Sequence, residues 1–223
     1  RPVAATAFCM GRGHESWHPS PEFYYKPGGG PMFDMGPYYL TDLMQLLGPV
    51  NRVTGFTSVA IPERTITSKP LHGRKITVET PDHLSGTLEF ENGVVGTIVT
   101  SFAVMGAEFW PITIFGTEGT LKVPDPNGFD GEVHLLRAGG EGWQKVEHTH
   151  PTGLGRSVGL ADMAHAIRSG RKHRASLEQA FAVLEAMDGI LTSSAQGKAV
   201  DLTPGYERPA PLPTTLEEGL LDD

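Results

Sequence analysis

A carboxylate and two phenols, Asp34, Tyr38 and Tyr39, stand where a glycine run (Gly28-Gly29-Gly30) gives way to leucine-rich spacing. Groups of this kind, held where a rigid helix meets a flexible loop, are a common build for a small-molecule site. Upstream, residues 11–30 form a loop too long to be idle in a compact domain. Its His14, Trp17, His18, Tyr24 and Tyr25 argue against disorder. Two readings of these rings stand side by side. In one, the histidines hydrogen-bond their own turn. In the other, they line a polar substrate pocket with Trp17, Tyr24 and Tyr25. Aromatic faces and imidazole donors suit a sugar or polyol, with its apolar C–H faces and many hydroxyls.

Metal chemistry is the tempting alternative. His14-Glu15-Ser16-Trp17-His18 matches the His-Glu-x-x-His pattern of zinc proteases, which works only when a helix puts both imidazoles on one face. Gly11 and Gly13 before it and Pro19 after it deny that helix. His148 and His150 lack a third ligand, and Cys9 is the only cysteine, so no metal site is expected.

Periodicity gives the elements that must position these groups. Pro37 suits a first helical position, because it lacks the N–H left unpaired there. Leu40, Leu43, Met44 and Leu47 follow at i, i+3, i+4, i+7, a buried face terminated by Gly48 and Pro49. Asp34 then lies just ahead of the helix, where it either caps the N-terminus or accepts a substrate hydroxyl. Strands are expected at 2–10, 52–60, 84–90, 94–104, 109–115, 120–123, 133–137 and 143–148, with a polar excursion over 61–75. Asn92-Gly93 marks a hairpin, and two-residue closure pairs Phe90 with Val95 and Leu88 with Thr97. Leu160, Met163, Ala164 and Ile167 form a helical stripe stopped at Gly170, and His165 sits at its boundary. Ser176 and Gln179 make a capping box opening a helix with Leu177, Ala180, Phe181, Leu184 and Leu191 on one face. Residues 200–202 add an edge strand. Arg168, Arg171, Lys172 and Arg174 read as a solvated basic loop. From Pro204 the chain is proline-rich and then acidic (Glu217, Glu218, Asp222, Asp223), an arm or frayed tail. The order predicts an α+β fold: an open, mostly antiparallel sheet of six to eight strands with helices packed on one face.

Composition narrows the function classes. Twenty-eight glycines and 18 prolines, about a fifth of 223 residues, favour turns and strands over a helical bundle. A formal net charge of −8 argues against a general nucleic-acid surface. No apolar run reaches the roughly 18 residues of a membrane span. One cysteine and no signal-peptide pattern suit the cytoplasm.

Several motifs occur in a fixed order: Gly28-Gly29-Gly30, then Asp34-Met35-Gly36-Pro37-Tyr38, then a helix ending Leu46-Leu47-Gly48; Gly116-Thr117-Glu118-Gly119-Thr120-Leu121; Ala166-Ile167-Arg168-Ser169-Gly170-Arg171; and Ser176-Leu177-Glu178-Gln179-Ala180. Over residues 1–209 this set resembles the C-terminal domain of the Gfo/Idh/MocA family of NAD(P)-dependent oxidoreductases. The resemblance implies a substrate-binding and oligomerisation domain over 1–203, a tail over 204–223, and an N-terminal Rossmann domain outside this sequence. The nearest match to a dinucleotide fingerprint, Gly11-Arg12-Gly13-His14-Glu15-Ser16, fails at its last glycine. NAD or NADP is therefore expected on the other domain, with the family's catalytic lysine. The implied reaction is oxidation of a sugar, inositol or related polyol.

The family's usual histidine is replaced by Tyr38. Asp34 and Tyr38 become the candidate catalytic pair, with His14, Trp17, His18, Tyr24, Tyr25, Lys26 and Tyr39 as substrate contacts. A phenol, with a reference pKa of about 10, is a poor base at neutral pH unless a cation lowers it. Tyr38 therefore reads as an orienting or proton-relay group, or else as a base aided by that lysine. The resemblance also implies a homo-oligomer through the open sheet face, and partnership with the chain's own Rossmann domain. The loss of the histidine motivates an alternative: a non-catalytic binding or assembly domain of the same fold.

Overall fold

The computed structural model describes residues 1–106, 108–150, 155–203 and 205–212. Strand β1 (Pro2–Met10) leads through a loop and a 3-10 turn (Pro21–Tyr25) into helix α1 (Gly30–Leu47). Then follow β2 (Val50–Ser58), β3 (Glu63–Thr65), β4 (Lys75–Thr77), β5 (His83–Phe90), β6 (Val95–Ser101), β7 (Ile112–Gly116), β8 (Gly119–Val123), β9 (Val133–Arg137) and β10 (Gln144–Val146). Helices α2 (Val158–Ser169) and α3 (Leu177–Gln196) precede β11 (Val200–Asp201). Nine strands form one sheet in the order β10-β9-β8-β7-β1-β6-β5-β2-β11. Every neighbouring pair is antiparallel except β1 and β6, which run parallel. The fold is the expected α+β sheet with helices on one face. The polar excursion carries structure of its own, because β3 and β4 pair there as a separate two-stranded sheet.

The expected face of α1 is buried: Leu40, Leu43, Met44 and Leu47 pack with Ala5, Ala7, Leu88, Ile98 and Ile112 from the sheet. Helix α3 lies on β2 and β5, where glycines let it come close. A Cβ at Gly55 would stand 2.7 Å from Ile190 Cγ2, and one at Gly86 2.9 Å from Ile190 Cδ1. The missing Cβ atoms make room for Ile190, and this sets which face of α3 turns inward. Val183, Ala186, Met187 and Ile190 are buried, whereas Leu177, Phe181 and Leu184, expected in the core, are exposed. The stripe expected on α2 is corrected likewise. Leu160 and Ile167 are more than 70% exposed, and Asp162 and Ala166 are the buried residues. Asp162 holds α2 by accepting from Arg171 Nη2 (2.7 Å), from the backbone N–H of Arg174 (2.7 Å) and from the Arg174 guanidinium. Two members of the supposed solvated basic loop are therefore structural. The capping bond from the Gln179 N–H to Ser176 Oγ forms as expected, at 3.1 Å.

The β5–β6 hairpin closes one residue differently from the expected register. Glu89 faces Val95 and Leu88 faces Gly96, so Phe90 stands opposite Val94 across a three-residue loop. Gly93 takes φ 81°, the left-handed residue such a loop needs. Only this register puts Leu84, Leu88, Phe90, Val94 and Ile98 on one buried face.

On the opposite face, five threonines align side by side across five strands. Thr54 pairs with Thr87, Thr87 with Thr97, Thr97 with Thr6, and Thr6 with Thr113. Phe56, Val95 and Phe115 flank this row and are exposed. Of the expected tail, residues 205–212 run along α1 and α3, with Tyr206 in the core and Arg208 Nη1 donating to the Gln45 carbonyl at 3.0 Å. Pro204 and the acidic residues of 213–223 lie outside the described residues.

Candidate functional site

Helix α1 begins seven residues earlier than periodicity suggests. Gly29 is its N-cap, Pro31 falls in its first turn, and Pro37 lies in the interior. Asp34 is consequently neither a cap nor ahead of the helix. It stands one turn from Tyr38, at i and i+4, on the same side of α1. That side faces the loop after β1. His14 Nε2 lies 3.0 Å from Asp34 Oδ2, joining the loop to the helix. Around the imidazole stand Tyr24, Phe102 and Trp17, with ring centroids at 4.0, 4.6 and 5.2 Å. Burial, then the nearby Asp34 and Tyr38, push the Tyr24 phenol above its ordinary value, so it stays protonated. Across the site, Arg156 Nη1 lies 3.5 Å from Tyr38 Oη, with its guanidinium carbon 5.5 Å from the ring centroid. Arg156 is itself fixed by Asn127 Oδ1 at 2.7 Å.

His14, Trp17, Tyr24, Asp34 and Tyr38 thus come together on one rim. The other expected contacts lie elsewhere. Tyr25 is fully buried in a second apolar cluster with Ile66, Ile76, Val78 and Phe102. Its hydroxyl donates to Glu15 Oε2 and accepts the His14 backbone N–H at 3.0 Å. Burial and the Glu15 hydrogen bond push that phenol well up. Tyr39 is 3% exposed, and its hydroxyl donates to Asp125 Oδ1 at 3.3 Å beside Cys9. Burial pushes the Cys9 thiol up to about 11. Lys26 pairs with Glu79 at the surface. His18 Nδ1 accepts the Ser20 N–H at 3.0 Å, the self-turn reading. The His14–His18 segment makes one turn, closed by His18 N–H to the His14 carbonyl at 3.0 Å, and its two imidazoles serve different partners. Among the described residues, no group of three His, Cys, Asp or Glu side chains is placed to hold a metal.

What holds His14 was not visible in the sequence. Arg64 on β3 is almost fully buried and closes four contacts. Nη1 donates to the Arg12 carbonyl (3.0 Å) and Glu15 Oε1 (2.6 Å); Nη2 donates to Asp82 Oδ2 (2.8 Å) and the Phe102 carbonyl (2.9 Å). Asp82, fully buried, also accepts the backbone N–H groups of Ala60 (2.6 Å) and Ile61 (3.2 Å). Burial works against the guanidinium charge, and the Asp82 and Glu15 carboxylates more than offset it. Gly13, at φ +90°, leaves room for this knot, since a Cβ there would fall 2.4 Å from Tyr25 Oη. The polar excursion is thus a brace for the His14 loop. A lone Arg in a polar segment reads as solvated, and nothing local reveals its partners 18 and 49 positions away.

Asp42, one turn beyond Tyr38, is the other missed residue. Burial pushes its carboxyl up to about 6, and its Oδ2 has no hydrogen-bond partner among the described residues. It shares with Tyr38, Thr41, Asp125 and His148 a cavity of about 680 Å³.

Gly29 and Gly30, at the start of α1, form no dinucleotide phosphate cradle. The N-terminus of α1 is closed by the chain's own backbone: a Cβ at Gly29 would meet the Phe23 carbonyl oxygen at 2.6 Å, and one at Gly30 the Pro81 carbonyl oxygen at 2.9 Å. These glycines serve close packing and leave no open phosphate cradle.

The model of the GFO/IDH/MocA C-terminal domain matches residues 1–122, and the chain belongs to that family. No curated protein matches it. Among solved structures it is similar to levoglucosan dehydrogenase in its apo form, with TM-score 0.74 and 21% identity over 92% of this chain and 60% of that one. It is also similar to an NAD binding oxidoreductase from Klebsiella pneumoniae, with TM-score 0.72 and 18% identity over 92% and 60%. A third is aldose-aldose oxidoreductase from Caulobacter crescentus, complexed with glycerol, with TM-score 0.65 and 18% identity over 90% and 56%. At these identities the likeness is one of fold. The chain spans about 60% of the length of these proteins.

Proposed function

We propose that this chain is the substrate-binding and oligomerisation portion of an NAD(P)-dependent oxidoreductase acting on a sugar, inositol or related polyol. One observation carries the reading: Asp34 and Tyr38 share a side of α1 that faces an aromatic and imidazole rim made by His14, Trp17 and Tyr24. Such a rim offers hydroxyl acceptors and donors beside flat apolar faces, which is what a polyol needs. Family membership and the sugar-related names of two similar structures support the substrate class. The cofactor belongs to a preceding Rossmann domain, in keeping with the close packing of Gly29 and Gly30 and with the greater length of the similar structures. When bound there, the nicotinamide supplies the hydride acceptor. Tyr38, near Arg156, orients the substrate hydroxyl.

The threonine row and its flanking Phe56, Val95 and Phe115 are the face through which copies associate. The lone Cys9, outside any disulfide, suits the cytoplasm. Among the described residues, no helix is long and apolar enough to cross a membrane.

The test is to incubate the full-length protein with NAD or NADP and a panel of aldoses, inositols and anhydrosugars, following reduced nicotinamide. Reduction with at least one of them is expected. Cofactor binding without reduction across the panel would favour a non-catalytic assembly role.

A further inference from the structure

We infer that His14, held by Asp34, is the group that accepts the substrate hydroxyl proton, an assignment that rests on the oxidoreductase reading above. The carboxylate can only accept from the ring, so the 3.0 Å contact between His14 Nε2 and Asp34 Oδ2 puts the neutral imidazole's proton on Nε2. Nδ1 is then left with its lone pair, and no described residue hydrogen-bonds to it. The ring is positioned from every other side. Tyr24, Phe102 and Trp17 wall it, and the Tyr25 hydroxyl holds its backbone N–H at 3.0 Å. The Arg64 knot anchors Glu15, the next residue. The side chain nevertheless remains 17% exposed. A fixed imidazole with one nitrogen oriented by a carboxylate and the other open is an arrangement suited to general base work.

The competing groups on the rim fit the role less well. Asp34 is engaged with the ring. Tyr38 is a phenol, a kind of group whose reference pKa of about 10 suits base work at neutral pH poorly. The titratable or charged groups facing this segment are Asp34 from α1, with Tyr38 one turn on beside Tyr24, Tyr24 and Tyr25 from the 3-10 turn, Glu15 of the same loop, and Arg64 of β3, which pairs with Glu15. In the step itself the hydroxyl proton passes to Nδ1, giving an imidazolium paired with Asp34. With the nicotinamide named above bound as oxidant, the carbinol hydrogen would leave with the C–H electron pair as hydride, and C–O would become C=O.

The experiment uses the full-length protein. His14→Gln is expected to lower kcat by about 10²–10⁴-fold, with KM little changed, and to remove the acidic limb of the pH–rate profile. His14→Ala should regain part of its rate with added imidazole, which a structural role would not produce. Tyr38→Phe should keep the limb. Nitrogen-15 NMR of labelled histidine should show His14 with Nε2 protonated and Nδ1 bare, and a mixed tautomer in Asp34→Asn. A wild type that oxidises sugars, beside a His14→Gln variant within about threefold of it with the limb intact, overturns the assignment and leaves the oxidoreductase reading standing. Protonated Nδ1 in the neutral ring also overturns it. A wild type that oxidises nothing, with the expected tautomer present, overturns the oxidoreductase reading and the base role together.

Discussion

Arg64 and Asp82 meet at 2.8 Å in the interior, and the consequence of their pairing is felt at His14. The same guanidinium reaches Glu15 and the Arg12 carbonyl, so one buried cation ties β3, the residue that leads into β5 and the site loop together. Removing either member of such a pair strands the other charge. Arg64→Leu should therefore lower unfolding free energy by about 3–5 kcal/mol in urea titration. It should also loosen the His14 loop, seen as faster amide exchange there. Unchanged stability would mean that Glu15 and Asp82 find other partners.

Asp42 should make stability depend on pH in the direction opposite to a paired carboxylate. Its folded value of about 6 lies above the ordinary 3.8, so between these values the native protein holds a proton that the unfolded chain releases. The benefit is complete below the unfolded value and is lost as pH rises through about 6. Asp42→Asn should remove this slope and raise stability near neutral pH by on the order of 2–3 kcal/mol, since each tenfold change in proton affinity is worth about 1.4 kcal/mol. Thermal melts of both proteins across the acid range check it.

Gly55→Ala tests how α3 meets the sheet. The added methyl would lie 2.7 Å from Ile190 Cγ2 and 2.9 Å from the Ser85 carbonyl oxygen, and the latter is backbone that cannot swing aside. A loss of about 1–3 kcal/mol is expected, as for overpacked cores. A paired Gly55→Ala and Ile190→Val variant should recover part of it.

The threonine row can be tested by charge. Thr97 lies at its centre, between Thr87 and Thr6. If copies of the protein associate through this face, Thr97→Arg buries two uncompensated guanidinium groups in every symmetric pair and should split the assembly to monomers in sedimentation velocity. An unaltered assembly would move the interface elsewhere.

How much of this was legible depended on whether the deciding contact was local. The α1 face, the edge strand at Val200–Asp201 and the Ser176 cap follow from spacing alone, and all are present in the fold. The start of α1 did not follow, because Pro37 and Pro31 both suit a first turn and only packing of the glycine run against Phe23 and Pro81 favours the earlier one. The hairpin register was open to a one-residue slip until the burial of Val94 and Ile98 chose between loops of two and three residues. For α3 the sequence offered apolar residues on more than one side, and the thin glycine-bearing strands beneath selected the side of Ala186 and Ile190. At the site, Asp34 and Tyr38 could be found from a motif. The Arg64 knot could not, since every bond it makes reaches a distant part of the chain.

The most direct measurement is kcat/KM of the full-length protein, wild type against Asp34→Asn, on whichever polyol it oxidises. Asp34 anchors the rim from α1, so the account predicts a fall of about a hundredfold or more, carried mainly by kcat, with the fold intact by circular dichroism. Equal values for the two proteins would place the chemistry away from this rim and contradict the account.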